Sequence, residues 1–248
     1  MTLVYHGTSA ENVDDILKNG IQPRENTNKS NWTDIESISN HVYLTRIYSL
    51  YFGMCAVDNL SDENIAIFEV DLNSLDEDLL YPDEDFIEQG IRHSEININP
   101  HNSYDKNEDI IQRTKSIREN IRFYDDLWLN SLQSLGNISY NSHIPTNIIR
   151  RVAIIDAPPA FLINIDPTIT IQNAMVMSDK YKAYTEFVFN KNLSLEDMFI
   201  VDNIPMINIH KLTKDDKKEL INTPEFKSQI SKYKKLVNNI DIEIINLD

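Results

Sequence analysis

The stretch from Leu3 to Gly20 constrains this chain more than any other. Leu3 to His6 reads as a short strand with His6 at its end. Thr8-Ser9-Ala10-Glu11 has the form of a capping box, in which Thr8 accepts from the Glu11 amide and Glu11 reaches back. Ala10, Val13, Ile16 and Leu17 then repeat at helical spacing, and Gly20 supplies the left-handed stop. A strand that turns into a helix across Gly7 and Thr8 sets backbone groups beside a helix N-terminus, where anions and amide oxygens are favoured. The glycine lets a ligand come close to the backbone.

Composition removes several alternatives. Only five glycines occur, at 7, 20, 53, 90 and 136, and their spacing builds neither a dinucleotide fingerprint nor a P-loop. A single cysteine, Cys55, excludes a disulfide framework and a cysteine-based zinc site. His41, His93, His101, His143 and His210 show no metal-ligand spacing, so no metal is expected. No apolar run reaches the roughly 20 residues of a membrane span, and Met1 to His6 lacks the features of a secretion signal. A cytoplasmic protein without membrane contact is therefore expected. The net charge is -16, unevenly spread. Lys211 to Lys235 carries eight lysines against four acids, +4, which leaves -20 for the rest. An acidic body is a poor electrostatic partner for nucleic acid, and only this strip favours one.

The remaining elements point to an α+β domain with scattered strands and no regular βαβ alternation. His41–Thr45 reads as a second strand that runs into a helix over about Ile47 to Val57, and Ile65–Leu72 is the clearest strand. Asp76 to Glu88 is intensely acidic, and Asp83-Glu84-Asp85 reads first as a solvated turn. Glu69 is assigned no role and is expected to face solvent or a partner. Residues 107–135 read as one or two helices ended by Gly136, with Trp128 in the core. Ile138–Tyr140 and Ile148–Ile155 are strand candidates parted by a turn at Pro145. Tyr184–Phe189 fits a strand or a helix end, and Lys214–Asn238 a broken helix. Ile240–Ile245 fits a last strand. The expected organisation is one domain over residues 1–205, with a basic helical extension over 206–248 packed on it.

The order H-G-T, helix, G-I-x-P-R, then V-Y-L-T with aromatics after it, then an apolar strand, resembles the diphtheria-toxin-like ADP-ribosyltransferases, the branch that includes poly(ADP-ribose) polymerases. Leu3 to Leu72 carries the resemblance. It implies a split antiparallel sheet around an NAD cleft, with the 107–135 helices as an insertion. It implies that His6 bonds a ribose hydroxyl of NAD and that the Gly7 backbone grips the nicotinamide amide. Tyr43 would pack on the nicotinamide ring, with Tyr51 on its other side and Ser49 near the amide. Thr8 and Arg24 would line the adenosine and diphosphate side; arginine suits paired phosphate oxygens. Cleavage of the nicotinamide–ribose bond through an oxocarbenium-like state needs positioning, a dry slot and negative charge near the ribose, and neither metal nor covalent nucleophile.

The third motif has two registers. In one, Asn137 of Gly136–Tyr140 stands where the family commonly has an acid; in the other, Glu186 of Tyr184–Phe189 is that acid. The Asp83-Glu84-Asp85 cluster is a third source of carboxylate. The resemblance implies an enzyme that uses NAD as ADP-ribose donor toward a macromolecular acceptor, nucleic acid or protein. It further implies the toxin of a toxin–antitoxin or anti-phage system, held in check by an antitoxin. Two alternatives are an RNA 2'-phosphotransferase-like enzyme, whose arginine set is not visible here, and a non-catalytic module of the same fold that binds NAD or a partner.

Overall fold

A computed structural model of the chain describes residues 2–27, 36–57, 64–93, 95–97, 110–156 and 241–247, together with Val188, Phe189 and isolated positions between 215 and 227. The protein is mixed α/β, built on one seven-stranded sheet in the order β4-β5-β2-β1-β3-β6-β7. The strands are β1 (Leu3–Ser9), β2 (Val42–Thr45), β3 (Ile65–Asp71), β4 (Leu80–Pro82), β5 (Asn137–Tyr140), β6 (Ile149–Ile155) and β7 (Ile242–Asn246). Every neighbouring pair is antiparallel. The helices are α1 (Val13–Asn19), α2 (Arg24–Thr27), α3 (Ser49–Cys55), α4 (Glu84–Arg92), α5 (Ile110–Glu119) and α6 (Trp128–Ser134).

The expected split survives only as a weak seam. β1 pairs with β3 at every position from Leu3 to Ser9, yet its register with β2 is the single pair Tyr5–Thr45. The sheet is continuous, but its halves β4-β5-β2 and β1-β3-β6-β7 meet at that one point.

Strand alternation sorts the side chains. Val4, Val42, Leu44, Phe68, Val70, Ile138 and Val152 share one apolar face, which α1 covers with Val13 and Ile16. On the other face α3 packs directly on β1 and β3. A Cβ on Gly7 would stand 2.0 Å from the Ser49 carbonyl oxygen and 2.6 Å from the Gly53 amide nitrogen. Gly7 is thus the residue that lets helix and strand backbones touch, a reason the sequence alone did not reveal. A second apolar cluster joins Phe86, Ile87 and Ile91 of α4 to Ile117 of α5, Ile121, Tyr124 and Leu135, beside β4 and β5.

Several sequence expectations are corrected. His6 lies within β1, not at its end, because the strand runs on to Ser9. Ser9 rather than Thr8 accepts from the Glu11 amide, at 3.3 Å, and it caps a 3₁₀ turn (Ala10–Asn12) that precedes α1. No helix start therefore follows Gly7 directly in sequence. Gly20 does end α1, with φ +77°. The segment after Pro82 is not a solvated turn: Asp83 caps α4, and Asp83, Glu84 and Glu88 are buried. Residues 107–135 hold two helices joined by a 3₁₀ segment (Ile121–Leu127), and Trp128 packs against the core. β4 was not anticipated. Most of 157–240, with the lysine-rich strip, lies outside the described residues.

Gly7→Ala is expected to destabilise the fold by about 2 kcal/mol or more, since backbone atoms on α3 cannot yield as a side chain can. Gly53→Ala meets only the Ile65 side chain, at 3.2 Å, and removes a helical glycine worth about 1 kcal/mol, so it should be near neutral. Urea denaturation of both variants checks the contrast.

Candidate functional site

His6 and Tyr43 lie at the seam, with Asn137 on the neighbouring strand β5. With only Tyr5 paired to Thr45, β2 leaves β1 short of ladder bonds, and the His6 ring fills the gap. Its Nδ1 lies 3.0 Å from the Tyr43 carbonyl oxygen. A carbonyl only accepts, so Nδ1 carries the proton and Nε2 is the ring's acceptor. Burial pushes the imidazole below its ordinary pKa, and the bond to Tyr43 offsets this in part. His6 is therefore neutral at pH 7.

By register Tyr43 leaves the face opposite His6, the face on which Gly7 meets α3. The link between His6 and Tyr43 thus runs through the Tyr43 backbone. The Tyr43 hydroxyl accepts from the Ile38 amide at 3.0 Å and donates to the Glu84 carboxylate at 2.8 and 3.0 Å. Burial, then the charges of Glu84 and Asp83, hold the phenol well above its ordinary pKa. Glu84 in turn receives Arg118 of α5 at 2.9 and 3.0 Å.

Asn137 opens β5 directly opposite Thr45. It is buried, and its Oδ1 has no hydrogen-bond partner among the described residues. The Thr45 hydroxyl donates to the Gly136 carbonyl and accepts from the amides of Ile47 and Tyr48, which steers the chain from β2 into α3. Ser49, fully buried, begins α3. Tyr51 lies on α3, but its side chain is outside the described residues, as is Glu186. The neighbouring Val188 and Phe189 are helical, not extended, and Phe189 stacks on Tyr5 at 5.4 Å.

Two residues expected to line the ligand have protein partners. The Thr8 hydroxyl accepts from Asn12 Nδ2 at 2.8 Å. The Arg24 guanidinium pairs with Glu36 at 2.9 Å and donates to the Ser37 carbonyl at 3.0 Å. A polar groove of about 550 Å³ beside α1 and α2 is lined by Asp15, Asn19, Gln22 and His143, among others, and by none of the site residues.

The buried acids form a pattern that sequence reading missed. Glu69, expected at the surface, is buried and held by Arg151 at 2.7 and 2.8 Å. Glu88 is held by Arg113 at 2.7 Å. The arginines lie 25 to 82 positions away along the chain, so no local pattern announces the pairs. His41, also unassigned, is buried, with Nδ1 2.9 Å from the Ser139 hydroxyl and its ring 5.1 Å from that of Tyr81.

No family model matches the chain, and no curated protein matches it. Among solved structures, one named EcPltA aligns with 62% of this chain and 75% of its own length, at 12% identity and a TM-score of 0.30. A likeness that slight carries no argument about fold or activity. No described helix is long and apolar enough to cross a membrane.

Burial lowers the His41 pKa from 6.5 to about 4. The unfolded chain takes up this proton near pH 6.5 and the folded protein only near pH 4, so stability falls as pH drops through that window. At about 1.4 kcal/mol per unit the loss approaches about 3 kcal/mol. Urea denaturation at both ends of the window should show wild type losing about that much more than His41→Gln. Equal pH dependence of the two proteins would contradict the assignment.

Proposed function

We propose that the chain is an NAD-dependent ADP-ribosyltransferase acting on a macromolecular acceptor. One observation carries the reading. The strands that bear the first two motifs and one register of the third, β1, β2 and β5, are consecutive neighbours in the sheet, and His6 of the first bonds the Tyr43 carbonyl of the second. A neutral His6 with its Nδ1 proton committed offers Nε2 to a ribose hydroxyl. The unpartnered Oδ1 of Asn137 is a second acceptor suited to such a hydroxyl. In this reading Gly7 grips the carboxamide of the nicotinamide through its backbone and the Tyr43 ring forms one wall of the slot, with Ser49 and Tyr51 on α3. The chain's own contribution is to fix the ribose and exclude water while the glycosidic bond lengthens.

The charge that steadies the oxocarbenium-like state must come from a carboxylate not already neutralised. Glu69, Glu84 and Glu88 each hold an arginine, and Asn137 is uncharged. We propose Glu186, the acid of the motif's other register, with the Asp83-Glu84-Asp85 cluster as the alternative source of carboxylate. The uncharged residue on β5 also favours a second reading, a non-catalytic module that binds NAD. As an enzyme, the chain would be the toxin of a toxin–antitoxin or anti-phage system in the cytoplasm, with an antitoxin as partner; the lysine-rich strip is the feature that would meet a nucleic-acid acceptor.

Purified protein incubated with cell extract and NAD labelled on its adenylate side should transfer label to polymer. His6→Ala should reduce transfer by about a hundredfold or more. Glu186→Gln should slow it as severely while NAD affinity stays near normal. NAD binding without transfer or nicotinamide release would favour the binding module, and absence of binding would overturn both readings.

A further inference from the structure

We infer that Glu84 and Arg118 are positioning residues that lock the Tyr43 ring at the seam, so that α5 holds one wall of the site. The Tyr43 hydroxyl makes two directional bonds, one from the Ile38 amide and one to Glu84. Two fixed partners on one hydroxyl set both the position and the rotation of the ring. The carboxylate is itself constrained. Arg118 donates through both Nε and Nη2 to Glu84 Oε1, which leaves Oε2 for the shorter bond to Tyr43, at 2.8 Å. Glu84 is 4% exposed, and a buried carboxylate is tolerable only with such a partner. Ile117, beside Arg118 on α5, is fully buried against α4 and anchors the arginine.

The same two helices carry an internal control. Arg113 of α5 holds Glu88 of α4 at 2.7 Å, in a pair somewhat more buried than the first, and the exposed Arg92 stands 3.7 Å from the same carboxylate. Among the described residues neither member of that pair bonds Tyr43. If Glu84 and Arg118 served only to bind α4 to α5, the two pairs would be equivalent.

The test compares two double variants that each remove a charge pair together, which spares the fold an unpaired buried charge. These are Glu84→Gln with Arg118→Met, and Glu88→Gln with Arg113→Met. Thermal unfolding should shift alike in both. Aromatic NMR should find Tyr43 ring flips slow in wild type and in the second variant and much faster in the first. The NAD measurement rests on the transferase reading: KM for NAD should rise by about tenfold in the first variant only, with a smaller change in kcat. Arg118→Lys, which keeps the charge on Glu84, should stay within about threefold of wild type. Equal ring mobility or equal KM in the two double variants would overturn the inference. A wild type that binds no NAD would sink the transferase reading alone, because the ring measurement still decides what holds Tyr43.

Discussion

The hydrogen bond between the His6 ring and the Tyr43 carbonyl stands at the one place where the sheet nearly parts. β1 is fully zipped to β3 and touches β2 in register only at Tyr5 and Thr45. A carbonyl left without a ladder partner would be costly in a buried setting. The imidazole supplies the missing donor, and three consequences follow. The ring's tautomer is fixed, its outer nitrogen becomes an acceptor, and the two strands are held together. Gly7, next in sequence, lets α3 lie directly against the same strand.

The charge of the chain is organised around the same place. Although the net charge is -16, the acids that matter most are inside, and each of Glu69, Glu84 and Glu88 is matched by an arginine from a distant element. Such pairs add little net stability, because desolvation offsets their attraction. What they supply is geometry. Arg151 ties β6 to β3 and stacks on Phe189 at 4.9 Å. Arg113 and Arg118 fix α5 to α4, and Arg118 reaches Tyr43 through Glu84.

Much of the frame was legible in the residues. β1, β2, β3 and β6 announce themselves by runs of β-branched and aromatic side chains, and Gly20 and Gly136 mark chain reversals at positive φ. Boundaries failed where a tertiary contact decided them. β1 runs past His6 because β3 offers partners as far as Ile65, and that extension moved the cap from Thr8 to Ser9. The acidic run after Pro82 looked solvated because its arginines are far away in sequence. Strand β4 is too short to show a period and exists because β5 offers it an edge. The motif strands could be named from the sequence, but the aim of their side chains could not. Only the register shows that His6 and Tyr43 leave opposite faces.

The seam depends most on the state of one ring. Nitrogen-15 NMR of histidine-labelled protein near pH 7, assigned with His6→Ala, reads that state directly. A neutral imidazole with the proton on Nδ1 and a bare Nε2, which shifts when NAD is added, is the predicted result. A charged imidazolium, or a proton on Nε2, would mean that His6 does not close the seam, and the site built on it would fall.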